Sequence, residues 1–175
     1  MDFLDSPKGQ IIAGAHRYLS AARLLLNSAE FERRPNLLKI PTLHLIAHGI
    51  ELLLKFPMLQ AGRPVDEVRR KFGHDLNQLW DEPSNSSLRD LVIFSAIRAW
   101  SAAERSGKWS DNFSRFPEVE IVAQLRLLAP LHSKETDFAL RYIAPPKTPA
   151  PRPAFLADTF GDVAERLLKN PQLLL

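Results

Sequence analysis

The stretch from Thr42 to Phe56, TLHLIAHGIELLLKF, sets the strongest limit on what this chain can fold into. Leu43, Ile46, Ile50, Leu53 and Leu54 recur at helical spacing and mark one broad face, while Leu45 and Leu52 add apolar surface elsewhere. A helix that is apolar on several sides must be surrounded, so the pattern predicts a central rod with other elements packed about it. His44, His48, Glu51 and Lys55 ride on that rod. Pro57 predicts a kink or an end near Lys55, because proline removes an amide and crowds the preceding turn.

The flanking sequence supplies the other rods. Residues 8 to 30 place Ile11, Ala15, Tyr18, Ala22, Leu25 and Ala29 on one seam. FERRPNLLKIP, interrupted by Pro35 and Pro41, is read as a connection. A short helix is predicted from Pro64, with Asp66 and Glu67 at its start and Arg69, Arg70 and Lys71 at its end, the charge order a helix dipole favours. Gly73 stops it. Asp75 with Gln78 then reads as a capping box for another short helix. A helix is predicted over 88–105, a loop over 106–116, and a helix that opens at Pro117 and stops before Pro130. FALRYI (138–143) alternates and is read as extended. Residues 145 to 153 hold five prolines and read as a polyproline-like strap. A last helix over 154–169 carries Leu156, Phe160, Val163 and Leu167 on one face.

These elements predict an all-α, up-and-down bundle of four to five main helices with a C-terminal proline-rich strap and a final helix. One domain is expected over 1–175, with the bundle core at about 8–130 and an extension at about 131–175.

Composition trims the functional classes. The 23 Lys and Arg stand against 20 Asp and Glu, a net charge of +3, which permits a nucleic-acid partner but barely favours one. The absence of cysteine excludes disulfides and thiolate metal sites. The first ten residues carry acidic groups and no long apolar run, unlike a signal peptide, and no stretch is read as the roughly 18 apolar residues of a membrane span. A cytoplasmic protein without a membrane or cofactor is the expectation. The seven glycines form no phosphate-binding loop of the GxGxxG or GxxxxGK type.

Three constellations could carry chemistry. His44 and His48 lie one helical turn apart, where two imidazoles can chelate zinc or iron, and Glu51 follows three positions on. Histidines at this spacing more often serve packing or a polar network, and no second cluster in the sequence completes a metal site. Glu51 and Lys55 form an i, i+4 pair in the favourable order. On a helix this apolar both would be half-buried and in need of partners. Arg69 and His74 could act as phosphate clamp and proton acceptor in RNA cleavage by its own 2′-hydroxyl, although the helix dipole alone accounts for Arg69.

The pattern HGIELLLK (48–55), followed by KFGHDLNQL (71–79), resembles the bacterial HEPN family, the higher eukaryotes and prokaryotes nucleotide-binding proteins, and the later LRYI (140–143) resembles an Arg-Tyr segment found after the bundle in some related bacterial proteins. The likeness covers roughly residues 10–105, and its specific part about 35 residues. It implies a helical bundle, often dimeric, that binds nucleotides or cleaves RNA without metal. Ribonuclease members use an Arg and a His with four to six residues between them, usually within a later helix. Here only Arg69 and His74 match, and they precede that helix, while the 88–105 segment holds Arg89 and Arg98 but no histidine. The resemblance thus implies foremost a non-catalytic module for a nucleotide, an RNA end or a protein partner. In that arrangement Asp75 caps a helix, His74 bonds Glu51, and Lys55 and Arg141 are left to meet a phosphate. The alternatives are a metal-independent RNase toxin of a toxin–antitoxin or defence system, and a homodimeric assembly module built on the helix at 8–30.

Overall fold

The structure is a computed structural model that describes residues 3–108, 115–141 and 149–174. Trp109, part of the predicted 106–116 loop, and residues 142–148 of the predicted strand and strap lie outside them. Among the described residues every regular element is a helix, and the molecule is an all-α bundle.

Helix α1 (Pro7–Leu26) begins where the Ser6 hydroxyl accepts from the Gly9 amide, with proline at the first helical position. It stops short of the predicted 30 because Ser28 restarts the chain. The Ser28 hydroxyl accepts from the Phe31 amide at 3.1 Å and opens the short α2 (Ala29–Arg33). Helix α3 (Pro35–Gln60) corrects two expectations. Pro35 starts this helix instead of breaking the chain, because its missing amide would be unpaired there anyway. Pro41 and Pro57 are absorbed within it. Near Pro41 the Thr42 hydroxyl donates to the Leu38 carbonyl at 2.7 Å, and near Pro57 the last turn closes with Ala61 N–H donating to the Pro57 carbonyl at 2.9 Å.

Helix α3 is long and apolar enough to cross a membrane by length and composition, which the sequence reading did not foresee. In the bundle it packs against α1, α5 (Leu76–Asp81), α7 (Pro117–His132) and α8 (Pro153–Lys169). Ile46, Ile50, Leu53, Leu54, Phe56 and Met58 are wholly buried in that packing. Gly49 allows α1 to approach closely, since a Cβ there would meet Leu19 Cγ at 2.7 Å. The buried seam of α1 runs through Ile12, Ala15, Leu19 and Ala22, packed in a bundle with α3 and α8, while Tyr18 of the predicted seam stays exposed.

The short α4 (Val65–Phe72) is bounded as predicted by Pro64 and Gly73. Gly73 takes a φ of 53°, a backbone state that side chains other than hydrogen resist. Asp75 caps α5, its carboxylate accepting from the Gln78 amide at 2.9 Å. Helix α6 (Ser86–Ser106) starts two residues before the predicted 88 and has no side-chain cap, because Asn85 turns inward. Its amide donates to the Leu54 and Leu79 carbonyls at 2.9 and 2.7 Å, tying α5 to α3.

Helix α7 runs through Pro130 to His132 and does not stop before the proline. The predicted strand after it is a turn over its described part: Asp137 and Phe138 have positive φ. The fold-back serves the end of α7. Leu140 N–H donates to the Leu131 carbonyl at 3.1 Å, and the Thr136 hydroxyl to the Pro130 carbonyl at 2.7 Å. Helix α8 packs on α1 and α6. Leu156, Phe160, Val163 and Leu167 join the same apolar core as α3, so the core reaches well past residue 130.

Candidate functional site

Glu51 is a carboxylate in the wall of a hydrophobic core, 3 % exposed. It persists there because four side chains from three parts of the chain converge on it. One turn further along α3, Lys55 Nζ lies 2.5 Å from Oε1. From the α4–α5 corner, His74 Nδ1 lies 2.8 Å from Oε2. From the end of α7, His132 Nε2 lies 2.7 Å from the same oxygen. His48, one turn earlier on α3, places Nδ1 at 3.9 Å.

These bonds decide the charge state. Burial alone would raise the Glu51 carboxyl, but the hydrogen bond from His132, the charge and hydrogen bond of Lys55 and the hydrogen bond from His74 hold it well below the ordinary carboxylate range. An ionised carboxylate only accepts, so the His74 Nδ1 and the His132 Nε2 carry the protons that face it. Burial is also the main influence on His48, lowering its imidazole by more than nearby Glu51 raises it. His44 is lowered chiefly by burial, then by His132 and Arg141.

Lys55 has a second task. It also donates to the Gly73 carbonyl at 2.7 Å. The corner is therefore pinned to α3 at two successive residues, Gly73 through Lys55 and His74 through Glu51. The expected meeting of Glu51, Lys55 and His74 is present in the structure, with the imidazole at 74 bonded to the carboxylate at 51.

This cluster forms one wall of a cleft of about 850 Å³ between α3 and α4. His48, Glu51, Lys55 and His74 line it together with Arg69 and Arg70. Arg69 is exposed and its only described ion pair, with Asp66, is 3.9 Å long.

Other expected ligand contacts are placed differently. Lys55 is not left free to meet a phosphate, because it is buried and two of its three protons are engaged. Asp75 lies outside that cleft, lining a smaller groove of about 330 Å³ with Phe138. Arg141 lines neither. Its guanidinium stacks on the Phe138 ring at 4.8 Å, and that ring in turn meets His74 edge-on at 5.7 Å. The His44–His48 pair does not act as a unit: His48 stands with Glu51 and His132, and His44 is outside that set.

His132 is the residue that sequence reasoning missed. The signal was present in α7, where Ile121, Leu125, Leu128 and His132 follow one another in steps of four, three and four, all buried. Ending the helix at Pro130 cut the stripe one step early.

Comparisons of the chain with protein-family models, with curated proteins and with solved structures return no match.

Proposed function

We propose that the chain is a HEPN-like, non-catalytic module that binds a nucleotide or an RNA end through its phosphate in the α3–α4 cleft. The observation that carries this reading is the composition of the cleft wall. Arg69 and Arg70 stand at an open mouth while the one deep carboxylate, Glu51, is already neutralised by Lys55. An anion entering the cleft meets the two exposed guanidinium groups of Arg69 and Arg70, against the single exposed carboxylate of Asp66, with a paired charge behind them, which suits bidentate recognition of phosphate. The test is a titration by fluorescence anisotropy with a 5′-phosphorylated oligoribonucleotide and its dephosphorylated twin. The reading expects the phosphorylated strand to bind more tightly, and an Arg69→Ala/Arg70→Ala variant to lose that difference. Equal affinity for both strands, or no binding, overturns it.

A second reading, a metal-independent ribonuclease, draws support from the pair Glu51–His74. A carboxylate that fixes one ring nitrogen leaves the other oriented to accept a proton, as in hydrolytic triads, and Arg69 shares the cleft with that ring. Total RNA incubated with chelator decides between them. Cleavage that disappears in His74→Ala selects the ribonuclease, and intact RNA at high protein concentration selects binding alone.

A further inference from the structure

The geometry points to a divalent transition-metal site formed by His48, Glu51 and His132, with His74 beside it, on the floor of the α3–α4 cleft. This assignment does not depend on phosphate binding, and the two readings share only Glu51 and the cleft.

Convergence is the first ground. Nδ1 of His48, a carboxylate oxygen of Glu51 and a ring nitrogen of His132 all lie within 4.8 Å of one another. Two donors that each sit about 2.0–2.2 Å from one zinc ion stand at most about 4.4 Å apart. A small turn of the half-buried His48 ring therefore closes the set.

The second ground is a distance that hydrogen bonding does not explain. Lys55, His74 and His132 already satisfy the Glu51 carboxylate. His48 Nδ1 lies 3.9 Å from the same Oε2, too far to donate to it but within the spacing of two ligands on one ion. His48 gains nothing from this approach as a hydrogen-bonding residue, and its ring is steadied by edge-on contact with Tyr18 at 4.5 Å.

The tautomer of His132 sets the condition for binding. To bind a metal, Nε2 must present its lone pair and pass its proton to Nδ1. That Nδ1 is buried, in a side chain only 1 % exposed, and has no hydrogen-bond partner. The present tautomer is held by the 2.7 Å bond from Nε2 to Glu51, so a bound ion has to displace that bond. Two imidazoles and one carboxylate suit zinc, and also cobalt, nickel or iron. Three protein ligands leave a coordination position toward the cleft, which His48 and Glu51 line. Lys55 sits on the other oxygen, Oε1, so the ion and the ammonium share the carboxylate and do not compete for one atom.

The test uses the full chain stripped with a chelator and titrated with Zn²⁺ and, as a spectroscopic stand-in, Co²⁺. The assignment expects one equivalent bound per chain, visible d–d absorption from four- or five-coordinate cobalt, and a melting temperature that rises with zinc. His48→Ala lies at the half-exposed edge of the cluster, so it keeps the fold. It should weaken the metal by at least about 100-fold, beyond what loss of an outer partner costs. His132→Gln should do the same, and His16→Ala, on α1 away from the cluster, should change nothing. Binding weaker than about millimolar, or stoichiometric binding that survives both His48→Ala and His132→Gln, overturns the site and leaves the cluster as a hydrogen-bonded ion pair.

Discussion

His132 Nε2 and Glu51 Oε2 lie 2.7 Å apart across a sequence separation of 81 positions, and this contact locks the end of α7 to the middle of α3. A carboxylate is tolerated at the centre of an apolar bundle because every one of its oxygens has a donor, one of them a full positive charge.

That arrangement predicts a pattern of stabilities. Glu51→Leu leaves Lys55 buried without its counter-ion, and Lys55→Met leaves Glu51 with imidazoles alone. Each single change is expected to cost about 3–5 kcal/mol. The double variant Glu51→Leu/Lys55→Met removes both charges and is expected to be more stable than either single variant. Urea denaturation of the three proteins checks this. Additive losses would mean that the two groups act independently.

Gly49 makes a second prediction. An added Cβ would lie 2.7 Å from Leu19 Cγ and 3.3 Å from the Ala15 carbonyl oxygen. Gly49→Ala must force α1 and α3 apart and should cost about 1–3 kcal/mol by overpacking. At Gly14 the only neighbour is the tip of the flexible Leu52 side chain, at 3.0 Å. Gly14→Ala should therefore be close to neutral, and thermal melts of the two variants compare them directly.

Glu82 gives a pH signature. Burial raises its carboxyl, but the hydrogen bond and charge of Arg63, then those of Lys71, outweigh this and lower it from its ordinary 4.5. The contacts are 3.0 Å to Arg63 and 3.4 Å to Lys71. A carboxyl lowered in the folded state stabilises the fold above its unfolded value and loses that contribution as pH falls below it. Glu82→Gln should thus cost about 1 kcal/mol at neutral pH. The gap from the parent protein should narrow below pH 4.5. Melting curves across that range measure it, and a gap independent of pH would assign the loss to packing instead.

Salt dependence reports on the cleft. For single-stranded RNA each neutralised phosphate adds about 0.7 to the slope of log affinity against log salt. If Arg69 and Arg70 each meet a phosphate, removing both should lower that slope by about 1.4. Binding isotherms at several salt concentrations provide the measure.

The sequence disclosed the helical class and the meeting of Glu51, Lys55 and His74 because both rest on local rules: apolar spacing along α3, and stop and restart chemistry at Gly73 and Asp75. It hid what depends on the tertiary setting. Pro41, Pro57 and Pro130 look like breaks when only backbone amides are weighed. In the bundle, packing on several sides outweighs one missing hydrogen bond per proline. His132 followed from the same error, since a helix ended at Pro130 has no residue there to present. Lys55 was expected to be free because sequence cannot show that the Gly73 carbonyl faces it.

The paired attachment at Gly73 and His74 has a mechanical consequence. A bend held by one bond can swivel. A bend held by two consecutive residues, each to a different side chain of the same helical turn, keeps only the axis that joins the two points. The α4–α5 corner is fastened to α3, and α4 can swing only about that line or by flexing along its own short length. The amide proton of Leu79, bonded to the Asp75 carbonyl, should therefore exchange with solvent only when the whole bundle opens, while those of Asp66 and Glu67 exchange by local fraying.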